Sequence, residues 1–189
     1  MASSVDERIA GLLRLLENAA SSDYIGEGVS QLEHALQAAQ LASEASAPDA
    51  EVLAALLHDV GHLCAASDAE RMRNLGVHGH EDVGADHLEA LGFRPETTRL
   101  VRGHVAAKRY LVATRPSYAA RLSPASTATL ALQGGPMTAD ECAAFEADPL
   151  HEAMLRLRSW DEAAKMRDRR VPPLSSYVPL MAEQLSARA

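Results

Sequence analysis

Aromatic rings are scarce in this 189-residue chain, where one Trp, four Tyr and two Phe make up 4% of the residues. Base stacking needs such platforms, so single-stranded nucleic acid is a poor match. Basic charge is also outweighed, with 18 Lys and Arg against 26 Asp and Glu and a formal net charge of −8. That balance argues against the cationic footprint by which proteins hold nucleic acid or anionic membrane. Two cysteines, Cys64 and Cys142, stand far apart without CxxC spacing. Reduced buried thiols are expected, not a disulfide. No apolar run approaches the roughly 18 residues of a membrane span, and the first residues carry no apolar leader core. The expectation is a cytoplasmic protein, a monomer or weak homo-oligomer, with neither nucleic acid nor membrane as partner.

What is present is ordinary globular material, 47% hydrophobic and 23% charged. The length fits one domain, residues 1–189, able to bury about 70% of its unfolded surface. β-Branched residues never alternate over a useful length, so no strand is expected. The fold class is all-α, a compact bundle of seven to nine helices.

Three stretches have the form of a capping box: Ser4 with Glu7, Ser30 with Glu33, and Thr138 with Glu141. The first opens a structural helix ending near Ala20, followed by a loop that includes Tyr24, Gly26, Glu27 and Gly28. The second opens a helix to about Ser46 carrying His34 among apolar residues. Pro48 begins a third, apolar almost all round through Val60, as a central helix should be. Residues 64–79 show no period and are expected to form a loop. A helix from His80 or Glu81 ends at Gly92, a C-cap residue. Pro95 begins the next, with His104 and Lys108 four apart on one face. Ser123-Pro124 starts a short helix whose Ser126, Thr129 and Gln133 form one polar strip. Pro149 opens a helix carrying Trp160 and Asp161, Pro172-Pro173 breaks it, and a last amphipathic helix begins near Ser175.

The chemistry concentrates at Leu56-Leu57-His58-Asp59-Val60-Gly61-His62. An imidazole and a carboxylate side by side near the end of an apolar helix, with His62 one turn beyond His58, would leave costly unpaired groups unless something binds them. A metal ion is the natural partner. The other ligand types on apolar helices are His34, His80, His104 and Asp161. His78, His87 and His151 lie in polar surroundings. Each alone has a plainer reading: His34 as a hydrogen-bonded core histidine, Lys108 as a snorkelling surface lysine, the Ser126 strip as a solvated face.

The order His34, His58-Asp59, Asp161 resembles the signature of the HD-domain superfamily of all-α metal proteins. His80 and His104 match the two further histidines that make a dinuclear centre with Asp59 as the bridge. A narrower resemblance covers residues 20 to 180 and rests on Tyr24-Ile25-Gly26-Glu27, Gln31-Leu32-Glu33-His34, the stretch from His104 to Leu111, Gln133-Gly134-Gly135-Pro136-Met137 and Trp160-Asp161-Glu162. These stretches resemble the 2-amino-1-hydroxyethylphosphonate oxygenases, mixed-valence di-iron enzymes related to myo-inositol oxygenase.

That resemblance implies a specific set of roles. His34, His58, Asp59 and Asp161 would hold one iron of an Fe2+/Fe3+ pair, and Asp59, His80 and His104 the other. Tyr24 would ligate the resting centre, and Glu27 would meet the substrate ammonium. His62, Lys108, Ser126, Thr129 and Gln133 would line a phosphonate pocket. The implied reaction is O2-dependent cleavage of the carbon–phosphorus bond of (1R)-2-amino-1-hydroxyethylphosphonate to glycine and phosphate, part of phosphonate catabolism. A quaternary ammonium prefers aromatic faces to a lone carboxylate, so the primary amine is favoured over the trimethylammonio analogue, with Trp160 and Tyr110 as the rings available for an aromatic wall. Two other readings stand beside this one. One is a metal-dependent HD-type phosphohydrolase, and the other is a non-catalytic module whose histidines are core residues.

Overall fold

The computed structural model of the protein describes residues 3–19, 28–72 and 75–186. In chain order the helices are α1 (Val5–Asn18), α2 (Gln31–Glu44), α3 (Asp49–Leu57), α4 (Gly61–Cys64), α5 (His80–Leu91), α6 (Pro95–Thr114), α7 (Pro116–Ala119), α8 (Pro124–Leu132), α9 (Ala139–Glu146), α10 (His151–Ala163) and α11 (Val178–Ser186), the last preceded by a 3₁₀ turn at Leu174–Tyr177. Nine of these helices have eight residues or more, and α4 and α7 are single turns. Arg71 and Val77 form an isolated β bridge, and the described residues contain no strand. The fold is all-α.

Local chemistry sets the boundaries. All three capping boxes form, with the side chains of Ser4, Ser30 and Thr138 accepting from the backbone N–H of Glu7, Glu33 and Glu141. These bonds satisfy donors that a helix start otherwise leaves unpaired. At the end of α5, Gly92 takes the left-handed φ of 95° that ends helices without a Cβ penalty. Helix α10 starts at His151, two residues beyond the proline that was expected to open it. There the Asp148 carboxylate caps the entering chain, accepting from Leu150 N at 2.8 Å.

The core is built around α3, in which every residue from Ala50 to Leu57 is buried. α2 and α6 pack against it, α10 lies across all three, and α1 and α11 pack on each other, α1 also meeting α4 and α11 meeting α3. No helix among the described residues is long and apolar enough to cross a membrane.

One expected helix is divided. α3 stops at Leu57 instead of running through Val60, and the chain tightens into i→i−3 bonds, Val60 N to Leu57 O and His62 N to Asp59 O, both 3.0 Å. No proline or glycine marks this stop; α4 resumes at Gly61, where the backbone meets α5. A Cβ on Gly61 would lie 1.9 Å from His80 O, and one on Gly84 would lie 2.9 Å from Gly61 N. The two glycines allow a backbone-to-backbone approach that brings His62 against His80. The two rings stack, with centroids 3.9 Å apart and planes 19° from parallel. Residues 65–72 and 75–79 then lead into α5, their Met72 and Val77 buried.

Candidate metal centre

Asp59 stands where the broken α3 turns, and its two carboxylate oxygens face two different histidine pairs. Oδ2 lies 3.4 Å from His58 Nε2 and 4.0 Å from His34 Nε2. Oδ1 lies 3.2 Å from His80 Nε2 and 3.6 Å from His104 Nε2. Asp161, from α10, completes the first group, with Oδ1 3.3 Å from His34 Nε2 and 3.8 Å from His58 Nε2. The six ligand-type residues read from the sequence thus converge from α2, the α3 terminus, α5, α6 and α10.

The histidines are oriented from behind. The Nδ1 atoms of His34, His58 and His104 meet the backbone carbonyls of Ala164, Ala55 and Val101 at 2.9, 2.9 and 2.7 Å. A carbonyl only accepts, so each of these Nδ1 atoms carries a proton and each Nε2 presents a lone pair when the ring is neutral. In each pair the Nε2 atoms are 3.1 Å apart, His34 to His58 and His80 to His104. Two lone pairs would repel at that distance, so each pair needs a shared proton or a metal cation between its nitrogens. Asp161 Oδ1, buried with no hydrogen-bond partner among the described residues, asks for the same thing. Imidazole nitrogens and carboxylate oxygens in this ratio suit a transition metal. The residues present fit a metal centre.

Without metal, the electrostatics are severe. Burial disfavours a charge on His58, but the Asp59 carboxylate outweighs it and holds the imidazole pKa up to about 9. His104 goes the other way, pushed well below the imidazole range by burial and by the neighbouring His80. Asp59 and Asp161 remain well below the usual carboxylate range although burial opposes this, Asp59 chiefly through His58 and Asp161 through Arg158.

Beside the centre is a cavity of about 50 Å³, and its outer wall is cationic. Lys108, one turn beyond His104, is buried and donates to Thr129 Oγ1 at 3.0 Å and to Gln133 Oε1. Burial, then Arg158, lowers its pKa to about 7. The α8 strip faces inward: Ser126, Thr129 and Gln133 all line the cavity. His62 lines it too; its Nδ1 accepts from Val77 N at 3.1 Å, so the neutral ring carries its proton on Nε2. Burial and the adjacent His80 lower its pKa to about 3, which keeps it neutral.

Two cations here escaped the sequence reading. Arg158, buried on α10, pairs with Asp161 and Glu162, donates to Tyr118 Oη at 2.8 Å and reaches Ser126 Oγ at 3.5 Å. Its sequence signals are the i, i+3 and i, i+4 spacings to Asp161 and Glu162. Lys165 also lines the cavity, 3.4 Å from Ser123 Oγ, and nothing local in the sequence marks it. Trp160 and Tyr110, the rings available for an aromatic wall, do not line the cavity. Trp160 is buried in the core, while Tyr110 packs on Phe145 and donates to Glu146, because the α6 and α10 faces that carry them point away from the cavity. Tyr24 and Glu27 lie outside the described residues.

An all-α fold holding an adjacent His-Asp pair among further histidines and a late aspartate defines an HD-type metal protein. The HD domain model matches residues 31–153, and the chain belongs to the HD-domain family. Within it, the chain is 40% identical over 167 residues to a [1-hydroxy-2-(trimethylamino)ethyl]phosphonate dioxygenase (glycine-betaine-forming) of Leisingera caerulea, covering 88% of this chain and 85% of that protein. It is 42% identical over 172 residues to a hydroxymethylphosphonate dioxygenase of Gimesia maris, covering 90% and 85%. It is also 40% identical over 181 residues to an uncharacterized protein of Acanthamoeba polyphaga mimivirus, covering 95% and 83%. The chain is thus an HD-domain relative of phosphonate dioxygenases.

Proposed function

We propose that this protein is a di-iron oxygenase that cleaves the carbon–phosphorus bond of (1R)-2-amino-1-hydroxyethylphosphonate, giving glycine and phosphate. The observation that carries this reading is the division of Asp59 between two histidine pairs, directly beside a cationic cavity. The named substrates of the Leisingera and Gimesia enzymes are both phosphonates. Residues 1–189 would act as one domain.

His34, His58, Asp59 and Asp161 would hold one iron, and Asp59, His80 and His104 the other. A bound Fe2+/Fe3+ pair supplies the redox chemistry with dioxygen that hydrolytic metals lack. The chain's own residues do the rest. Lys108 provides a point charge for the phosphonate, and the Ser126 and Thr129 hydroxyls and the Gln133 amide add neutral donors. Arg158 and Lys165 add positive charge from α10 and the segment after it. His62, held neutral with Nε2–H toward the cavity, donates a hydrogen bond without adding charge. Tyr24 and Glu27 would act from the loop before α2, Glu27 receiving the substrate ammonium.

The reaction balances as substrate plus O2 giving glycine plus phosphate, with no external reductant. Among the described residues no Phe, Tyr or Trp lines the cavity, which favours a primary amine over a quaternary ammonium.

The test is metal analysis and an oxygen electrode on anaerobically iron-loaded protein, given 2-amino-1-hydroxyethylphosphonate, its trimethylammonio analogue and hydroxymethylphosphonate in turn. Two irons per chain and one O2 consumed per phosphate released, fastest with the primary amine, is the expected result. Faster turnover of another phosphonate would reassign the substrate. Metal binding with phosphate ester hydrolysis and no oxygen uptake would make the protein a phosphohydrolase.

A further inference from the structure

A histidine that offers Nε2 to a metal must keep its proton on Nδ1, and an acceptor behind the ring fixes that tautomer. For His58 and His104 the acceptor is the carbonyl three residues earlier in their own helices, Ala55 and Val101. His34 uses the carbonyl of Ala164. His80 has no such recourse. It is the first residue of α5, directly after Gly79 at φ 66°, so no helical turn precedes it to present a carbonyl.

What stands behind His80 is a carboxylate. Its Nδ1 lies 3.3 Å from Glu81 Oε2. Both atoms are buried, and neither has a hydrogen-bond partner among the described residues, their 3.3 Å approach being close enough for one but not yet aligned for it. Two such atoms left mutually unused would be expensive, whereas a hydrogen bond between them satisfies both.

We propose that Glu81 is the positioning residue of the second metal position, accepting the Nδ1–H of His80 and so turning the Nε2 lone pair toward Asp59 and the metal. The proposal rests on the dinuclear reading above. It also makes the two positions unequal. His34 and His58 each have a neutral carbonyl behind Nδ1, while His80 is backed by a negative charge that makes it a stronger donor.

Two variants test this. Glu81→Gln keeps an acceptor oxygen without the charge, and Glu81→Ala removes both. The first readout is the ¹⁵N shifts of the His80 ring in metal-free protein, which show which nitrogen is protonated. The second is the stoichiometry and affinity of metal binding by titration. Wild type should hold the His80 proton on Nδ1 and bind two metals. Glu81→Ala should move proton population to Nε2 and weaken the second metal by about 10–100-fold while sparing the first. Glu81→Gln should restore the tautomer and most of the affinity. Wild-type His80 protonated on Nε2, or Glu81→Ala binding both metals as tightly as wild type, would overturn the role of Glu81. A wild-type stoichiometry of one, with the tautomer shift still seen, would overturn the dinuclear reading and leave Glu81 as the orienter of His80.

Discussion

Arg158 holds Asp161 by one carboxylate oxygen only. It engages Oδ2 and leaves Oδ1 buried and turned toward His34. The arginine therefore neutralises the aspartate without occupying the atom a metal needs. Removing one member of a buried ion pair typically costs about 3–5 kcal/mol, because the other charge remains buried. Arg158→Met should lose stability on that order in metal-free protein and clearly less once metal neutralises Asp161. Thermal melts with and without metal check this, and equal losses in both states would refute the division of labour between the two oxygens.

His104→Ala should empty one metal position and abolish turnover while the His34, His58 and Asp161 side keeps its ion. Asp59→Asn should weaken both positions, since both use that carboxylate. Metal content after dialysis separates the two outcomes: one metal per chain for the first variant, and none to one for the second. Full activity in His104→Ala would remove the dinuclear assignment.

Lys108 gives a pH dependence with a definite sign. Its folded pKa of about 7 lies below the ordinary 10.5, chiefly through burial. Between those values the unfolded chain binds more protons than the folded one, so Lys108 makes stability rise with pH from about 7 to 10.5. An anion in the cavity restores the charge on the amine and raises its pKa. Binding should therefore take up a proton near neutrality, and affinity should fall as pH rises above about 7. Calorimetry in two buffers of different ionisation enthalpy reads the proton directly. Lys108→Met should abolish the part of the uptake that the substrate's own ionisation does not supply.

Gly61→Ala should fail for a reason of space. The added methyl would meet the backbone of His80, which cannot rotate out of the way. Overpacking of this kind costs typically about 1–3 kcal/mol, occasionally more. The movement should separate His80 from Asp59, so metal binding at the second position should suffer more than at the first. A variant with wild-type melting temperature and two tight metals would show that α4 and α5 have room to move.

The helices and six ligand types were legible because both are written in short spacings: capping boxes, apolar periodicity, an adjacent His-Asp pair. The division of α3 was not, because the cause is tertiary. Gly61 is drawn against α5, and no breaker stands between Leu57 and Gly61. Arg158 and Lys165 were missed for a related reason: their ties to Ser126 and Ser123 bridge 32 and 42 residues of sequence. Lys108 was ambiguous from spacing alone, since only the position of α8 decides whether it faces water or a cavity. Whether Trp160 and Tyr110 reach the cavity was not legible either, because helical register, not residue type, decides where they point.

Thr129 and Gln133 also occupy the lysine that an incoming phosphonate would claim. On the proposed function, that hydroxyl and amide would be internal competitors for the charge, and a phosphonate would bind by exchange with them. Such an exchange would favour an oxyanion over a neutral guest, because only a charged ligand repays Lys108 for leaving two neutral acceptors. Selectivity against uncharged alcohols of the same shape would then follow from the hydrogen bonds Lys108 already makes.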